Sequence, residues 1–279
     1  MENIQEGADI KIEKKISKKS KHINNWSKKI INCINIGILP MLILVLWVIV
    51  TSLNVFSPAI LPSISKVFET FKSQLSSGQL INDVSISLLR VLEGYLIAVI
   101  LGITLGVFMG MNERINKFFF LTFTSMRQIP MLAWVPLIVL WFGIGESSKI
   151  IVIVIAAYFP ILLNTMNGIK RTDKKLIEVG NMYNLSKWKL FTKIYFPSAL
   201  PSIFVGLKLG IGISWMAVVG AEIIASSSGI GYRMNDARSL MQPESVFVGM
   251  IAIALIGIIM DHILNRISKK ITPWENKEV

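Results

Sequence analysis

The chain has 279 residues, of which 53% are hydrophobic and 16% are charged, and its net charge at pH 7 is +12. Soluble domains are nearer a quarter charged, so the composition excludes an ordinary soluble protein and indicates an integral membrane protein. The single cysteine, Cys33, excludes a disulfide framework and a cysteine-based metal site. His22 and His262 are far apart in the sequence, and we interpret each as an ordinary interfacial residue.

The first 35 residues form a basic segment with eight lysines, and the first apolar run follows them. No small-residue cleavage site follows that run, so the pattern predicts an uncleaved signal-anchor. We therefore divide the chain into a cytoplasmic tail (1–35), a transmembrane domain (36–268) and a cytoplasmic C-terminal tail (269–279).

Six apolar runs predict transmembrane helices, since about 20 apolar residues are needed to cross the hydrocarbon core. In chain order they cover 36–56, 84–111, 118–142, 150–166, 199–225 and 246–264. The third run is interrupted by Pro130 and Pro136. The predicted fold class is therefore an all-α polytopic membrane protein with about six transmembrane helices.

Basic residues indicate the orientation. With the N-terminus inside, the inner segments 1–35, 112–117, 169–197 and 265–279 hold 21 of the 29 Lys and Arg residues. Cytoplasmic loops retain such an excess of positive charge, which predicts a cytoplasmic N-terminus. No basic face with interleaved aromatics occurs outside these loops, so nucleic acid is not an expected partner.

Small residues recur every four positions in two of the predicted spans. Such spacing lets helix backbones approach closely in lipid, where the hydrophobic effect no longer drives helix association. We predict that these faces pack within a bundle or across a subunit interface, although glycine is also common in membrane helices. The residues are Gly102, Gly106 and Gly110 in the second span, and Gly206, Gly210 and Ser214 in the fifth.

The third span carries the candidate pathway residues. Arg127 and Gln128 come just before Pro130, and helix breaks at Pro130 and Pro136 would free backbone groups that a pathway can use. Charged groups in spans usually face a protein interior or water, and Arg127 is the natural contact for an anionic solute. The alternatives are an ion pair of Arg127 with Glu93 or Glu222, or snorkelling to the interface.

Other polar residues near the spans receive structural interpretations. Arg90 and Glu93 are three apart on one helix and are predicted to form a local pair. Glu222 is expected to be structural, and Lys208 is expected to reach the inner interface. Residues 226–231 are predicted to form a short outer loop that contributes to an outer gate.

The polar segment 173–197 predicts a helix–turn–helix outside the membrane. Asp173 can cap the first helix, Asn184 can adopt the left-handed conformation that ends it, and Ser186 can cap a second helix that stops at Pro197. Gly180 in a helix interior costs about 1 kcal/mol relative to alanine, which suggests close approach of a neighbour there.

The second helix of this segment presents an aromatic face. Trp188, Phe191 and Tyr195 align at i, i+3 and i+7 on one side of it.

The same segment resembles the "EAA" loop of ABC importer permeases. The similarity rests on Glu178, on Val179–Gly180 in place of two alanines, on Asn184 in place of the turn glycine, and on Ile194 with Pro197. The stretches "LAWVPLIVLWFGIGESSKI" (132–150) and "AEIIASSSGIGYRMNDAR" (221–238), with "LPS" after the first span, resemble permeases for aliphatic sulfonates, taurine and nitrate, most of all the sulfonate type.

The resemblance implies a type I importer permease of a bacterial plasma membrane. In that family the loop is a coupling helix that docks on a dimer of cytoplasmic ATPase subunits. A binding protein outside delivers the solute, here a small anion that moves inward by alternating access, and a homodimer encloses the pathway. The implied coupling residues are Glu178, Gly180, Tyr183, Asn184, Trp188 and Pro197.

The sequence contains no G-x-x-x-x-G-K-[ST] motif and no hydrolytic or metal-binding motif. We therefore expect no catalytic residue, metal or cofactor in this chain, with ATP hydrolysed by the partner subunit. One alternative is a secondary transporter or channel, which predicts internal repeats with paired broken helices, whereas only one span is broken by proline. A membrane-anchored scaffold without transport is the other.

Overall fold

The computed structural model describes residues 38–273, and all regular structure in that range is helical. The described residues divide into two compact units, 38–65 and 66–273. The predictions for the basic tail, Cys33, His22 and the last residues of the C-terminal tail lie outside the described residues. The helices are α1 (Ile38–Ser52), α2 (Ile64–Ser76), α3 (Gln79–Met111), α4 (Glu113–Arg127), α5 (Met131–Phe142), α6 (Glu146–Lys170), α7 (Lys174–Met182), α8 (Lys187–Leu190), α9 (Phe196–Ala225), α10 (Ile230–Ser239) and α11 (Pro243–Ile271).

The described part of the first unit is built on α1, a short apolar helix. After α1 the chain turns back, since Trp47 Nε1 donates a hydrogen bond to the carbonyl oxygen of Pro62 at 3.0 Å. An indole N–H needs such a partner when part of the ring is buried. This helix corresponds to the first predicted span.

The second unit is organised around α6, which packs against α3 on one side and α9 on the other. Its main core joins side chains of all three helices, among them Val91, Ile153, Ile161 and Val218, each at most 1% exposed. α5 packs on α6 and α9, while α10 and α11 pack on α9.

The small residues of α3 allow the close contact with α6. A Cβ atom on Gly106 would lie 2.7 Å from Cβ of Thr165 and 2.8 Å from the carbonyl oxygen of Leu162. Gly102, one turn before Gly106, faces Ile161 of α6 in the same way, and Gly110, one turn after it, faces Ile169.

The small residues of α9 face the same central helix. A Cβ on Gly206 would lie 2.8 Å from Cβ of Asn164, and one on Gly210 would lie 3.0 Å from the Ile161 side chain. Ser214 is fully buried one turn further along. Both small-residue faces therefore bury α6 within one protomer.

Among the described residues, four helices are long and apolar enough to cross a membrane: α3, α6, the continuous stretch Lys187–Ala225, and α11. α4 and α5 would make a fifth span if they act together, although they are bent by 98°. α11 continues through Ile271, so the predicted boundary at residue 268 falls inside this helix.

The expectation that two prolines interrupt the third span is half wrong. The break lies at residues 128–130, whereas Pro136 is inside the continuous helix α5. Pro136 comes in the second turn, where a proline removes one hydrogen bond, to the carbonyl of Leu132, and the remaining turns still form.

Pro197 does not stop the helix as expected, because the chain remains helical from Lys187 to Ala225. A π-helical turn, Phe191–Tyr195, precedes Pro197, and the N–H of Phe196 bonds back to the carbonyl of Phe191. Pro197 thus comes in the first turn of a new α-helical register, where the missing N–H is tolerated.

The predicted loop 226–231 is shorter in the structure. Only residues 226–229 are non-helical, and Ile230 begins α10, which the sequence did not predict. Gly229 has a φ of +100°, a conformation that L side chains rarely adopt, and it allows the abrupt change of direction.

Candidate functional site

An ionic group with a buried Arg90–Glu222 pair and an exposed Glu146 lies where α3, α6 and α9 meet the start of α10. We call Ser87, Arg90, Glu146, Glu222 and Ser228 the Arg90 cluster. Arg90 Nη1 donates to Glu222 Oε1 at 2.7 Å. Its Nε and Nη2 donate to the two carboxylate oxygens of Glu146 at 2.6 and 2.7 Å. Arg90 is 4% exposed and Glu222 is fully buried, so the pair is removed from solvent.

The Arg90 cluster also holds the chain between α9 and α10. Arg90 Nη1 donates to the carbonyl oxygen of Ser228 at 2.9 Å, and the N–H of Gly231 donates to Glu222 Oε2 at 2.9 Å. Ser87 donates to Glu222 at 2.8 Å and accepts from the N–H of Ile230 at 3.0 Å. A carboxylate with this many donors is a fixed structural element, as we expected for Glu222.

The predicted Arg90–Glu93 pair is wrong. Glu93 is exposed on α3, whereas Arg90 points into the bundle and bonds to Glu146 and Glu222. Two carboxylates, one of them buried, attract the guanidinium more strongly than one exposed carboxylate in the same helix does. The signal in the sequence was that Arg90 and Glu222 each place a charge in an apolar span, which requires a partner.

Two of the four candidate pathway residues line a cavity of about 390 Å³ between the α4–α5 bend, α6 and α9. Arg127 and Pro130 line it from the bend, together with Trp134 of α5, Asn164 of α6 and Leu209 of α9. Gln128 and Pro136, predicted with them, are exposed but do not line this cavity. The walls are mainly apolar, with Arg127 supplying the charge.

Arg127 is free to meet a ligand in this cavity. Its side chain is exposed, and within residues 38–273 no carboxylate lies within 4.0 Å of its guanidinium. Glu222, one of the two partners considered for it, is bonded to Arg90 instead. The amide of Asn164 is also committed, since Nδ2 donates to the carbonyl oxygen of Pro160 at 2.8 Å.

The polar segment folds as the predicted helical hairpin, which we define as residues 173–195. The Asp173 side chain accepts from the N–H of Lys175 at 2.9 Å, and Ser186 accepts from the N–H of Lys189 at 3.4 Å. Between the two helices Asn184 has a φ of +50°, in the left-handed region. All three local predictions are confirmed, because each depends on a side chain and its own neighbouring backbone.

Gly180 lies inside this hairpin. It is buried, and a Cβ there would lie 2.6 and 2.7 Å from the terminal carbons of Leu190 and Ile194. The close neighbour inferred from its helical position is therefore the second helix of the same hairpin.

The outer surface of the hairpin is unusually apolar for a segment outside the bundle. Met182, Tyr183 and Trp188 are 81%, 78% and 71% exposed, and Glu178 is exposed beside them. Phe191 packs on the bundle residues Ile169, Ala199 and Ile203 instead, so the predicted aromatic face is divided between the bundle and the free surface.

The family described as "binding-protein-dependent transport system inner membrane component" matches residues 98–273, which contain both the cavity and the hairpin. This chain belongs to that family. The permease is therefore a multi-pass membrane protein of the ABC transporter type, which favours the leading sequence interpretation over a secondary transporter, channel or scaffold.

Two curated relatives cover most of the permease. A putative aliphatic sulfonates transport permease protein of Bacillus subtilis is 36% identical over 239 residues, which is 86% of this chain and 87% of the relative. A taurine transport system permease protein of Escherichia coli is 30% identical over 249 residues, covering 88% and 90% of the two chains.

The fold of the permease matches that of a solved transporter. A chain in the crystal structure of an amino acid ABC transporter with histidines superposes with a TM-score of 0.58 at 17% identity, covering 71% of this chain and 95% of the other. The predicted all-α fold of an ABC importer permease is thus confirmed.

Proposed function

We propose that the permease is the membrane subunit of a homodimeric ABC importer that moves a small anion, of the sulfonate, taurine or nitrate kind, into the cell. Two cytoplasmic ATPase subunits hydrolyse ATP, and a binding protein outside delivers the solute. The chain itself then needs neither cofactor nor catalytic residue.

The observation that carries the anionic substrate is Arg127 in its cavity. A guanidinium in a membrane helix costs at least about 2.5 kcal/mol, so a position without an ion-pair partner requires another reason. Its planar fork suits the oxygens of a sulfonate, carboxylate or nitrate group, and the mainly apolar walls strengthen the attraction. The relatives described for aliphatic sulfonates and taurine agree with this chemistry.

The hairpin supports the ATPase partner. Exposed Met182, Tyr183 and Trp188 are large apolar side chains on an aqueous surface, a composition that is typical of protein interfaces. The second helix of the hairpin continues without interruption into α9, which lines the cavity through Leu209. A displacement of the hairpin would therefore reach the pathway along one continuous helical stretch.

Reconstitution with the ATPase and binding protein tests the proposal. We expect Arg127→Gln to lower ATP-driven uptake of ethanesulfonate or taurine about ten- to a hundred-fold, because a hydrogen bond to a charged group is worth about 1.5–3 kcal/mol. Arg127→Lys should restore part of the uptake. Basal ATP hydrolysis should stay close to the wild-type rate, and Arg114→Gln on the exposed start of α4 is the matched control.

The same preparation tests coupling. Met182→Ser with Trp188→Ser should reduce ATPase binding and stimulated hydrolysis while leaving the thermal midpoint of the isolated permease unchanged, because both side chains are exposed. Normal hydrolysis and uptake in this variant would contradict the hairpin as the ATPase interface.

For the anion site, normal uptake of anions by Arg127→Gln would contradict the role proposed for Arg127.

A further inference from the structure

One face of α9 carries exposed side chains, without a packing partner among residues 66–273. Val205, Leu209 and Met216 are 46%, 50% and 74% exposed along it. A Cβ placed on Gly212, in the middle of the same face, would have no atom within 4 Å. We call this stripe the free face of α9.

A second cavity, of about 300 Å³, lies beside the free face, between α9 and α11. Lys208 lines it, opposite Gly257 and Asp261 of α11. Trp215 Nε1 donates to the carbonyl oxygen of Ile253 at 3.0 Å, which fixes α11 against α9 at one side of the cavity. Gly257 has no side chain, so the space between α9 and α11 stays open beside it.

Lys208 is the charged residue of this cavity that lacks a partner. Its side chain is half-buried, and no carboxylate in the part of the chain that the structure describes lies within 4.0 Å of its ammonium group. Asp261 accepts a hydrogen bond from Asn265 at 2.7 Å instead. A lysine this far inside a membrane helix is costly unless it meets water, a partner charge or a passing ligand.

The two cavities lie along the same stretch of α9. Leu209 and Ile213 line the cavity that holds Arg127, whereas Gly212 and Met216 line the cavity that holds Lys208. These four positions belong to two successive turns, so the two cations lie on either side of the free face at a similar height along the helix.

We propose that Lys208 is a second cation of the translocation pathway, and that Arg127 and Lys208 together flank the free face of α9 along which the anionic solute moves. This inference rests on the proposed function in that the solute is an anion. Two separated cations let the anion pass from one to the other without a single tight site, and the nearby Asp261 carboxylate limits how long the anion stays at Lys208.

Labelling with charged reagents tests whether Arg127 and position 208 lie along the same pathway. Lys208→Cys, in the full-length chain with Cys33→Ser, is reconstituted in liposomes and reacted with an anionic and a cationic methanethiosulfonate reagent. Asp261 sets the starting anionic-to-cationic rate ratio at position 208 once the lysine is gone. We expect Arg127→Gln to lower that ratio about two- to four-fold, because one nearby positive charge has been removed. Arg114→Gln, which removes an exposed arginine at the start of α4, should leave the ratio unchanged.

Two labelling results would overturn the proposal. If neither reagent reacts with or without ATP and the ATPase, position 208 faces lipid. If Arg127→Gln leaves the ratio unchanged, the two cavities do not share a pathway.

Uptake separates this inference from the function on which it rests. Lys208→Met should lower ethanesulfonate uptake about ten-fold and Lys208→Arg should restore most of it, while Lys117→Met, an exposed lysine of α4, transports normally. Normal uptake by Lys208→Met with impaired uptake by Arg127→Gln would overturn the role of Lys208 and leave the proposed function intact. Absence of anion uptake by the wild-type complex would contradict the proposed function, and the labelling ratios would still decide whether Lys208 faces the pathway.

Discussion

Removing Arg90 should destabilise the permease strongly. Arg90 bonds to both oxygens of Glu146 and to the fully buried Glu222, and its loss would leave a buried carboxylate without a cation. Breaking a buried pair by removing one partner costs about 3–5 kcal/mol, more than the intact pair contributes relative to apolar residues of the same volume.

We therefore predict that Arg90→Met lowers the free energy of unfolding by about 3–5 kcal/mol, measured by thermal denaturation in detergent. Combining it with Glu222→Gln should recover part of the loss, because the buried negative charge is then gone. The control is Lys117→Gln, which breaks the exposed pair with Glu113 at 3.0 Å and should change stability by less than about 1 kcal/mol. If Arg90→Met and Lys117→Gln lowered the free energy of unfolding equally, Arg90 would not be a buried structural cation.

At the scale of helices, α6 owes its central position to small residues on both neighbours. Gly106 on α3 and Gly206 on α9 bring backbone or Cβ atoms of α6 within 2.8 Å of where a methyl group would lie. In lipid such contact replaces the hydrophobic effect as the source of association, so loss of close approach directly weakens the bundle.

Gly106→Ala should lower the free energy of unfolding by about 1–3 kcal/mol, since the added methyl meets Thr165 and the Leu162 carbonyl in a packed interface. Gly212→Ala is the matched control, because a Cβ at position 212 of α9 would have no atom within 4 Å. Alanine there should be neutral or stabilising by up to about 1 kcal/mol. Thermal midpoints of both variants in the same detergent check the difference. A similar midpoint for both would contradict the assignment of the α3–α6 contact to close packing.

The features that could be predicted from the sequence are those with a local cause. Apolar run length indicated the long helices, and the caps at Asp173 and Ser186 and the left-handed Asn184 depend on a few adjacent residues. The partners of Arg90 depend on the arrangement of three helices that are distant in sequence. The continuation through Pro197 depends on a π turn that shifts the backbone register.

The same distinction applies to the candidate site. Arg127 and Pro130 were recognised because a charge and a proline are conspicuous in an apolar span, and the structure places both beside one cavity. Lys208 was expected only to reach the inner interface, because its cavity is formed with Asp261 and Gly257 of α11, more than 40 residues later in the chain. Only the three-dimensional packing shows that the two cations lie on either side of the same helix.

For the molecule as a whole, the described bundle has different construction at its two ends. At one end the Arg90 cluster connects α3, α6, α9 and α10 through the buried Arg90 and Glu222 and the exposed Glu146. At the other, the hairpin 173–195 extends beyond the bundle with exposed apolar side chains and lysines. This arrangement suits a transporter in which movement of the hairpin changes the shape of the Arg127 cavity, while the Arg90 cluster holds the other end of the bundle in place.

The orientation of these ends is the last prediction. Because 21 of the 29 Lys and Arg residues fall in segments on one side, we propose that the hairpin faces the cytoplasm and the α10–α11 turn faces outward. Two exposed methionines, Met182 at 81% and Met241 at 77%, give a matched pair of reporters separated by α9, a single crossing. In a Cys33→Ser background expressed without the ATPase subunit, which would cover Met182, Met241→Cys should react with an impermeant maleimide in intact cells, or in spheroplasts where an outer membrane is present. Met182→Cys should react only after permeabilisation. The reverse pattern would invert the orientation, and equal reactivity of both in intact cells would mean that α9 does not cross the membrane.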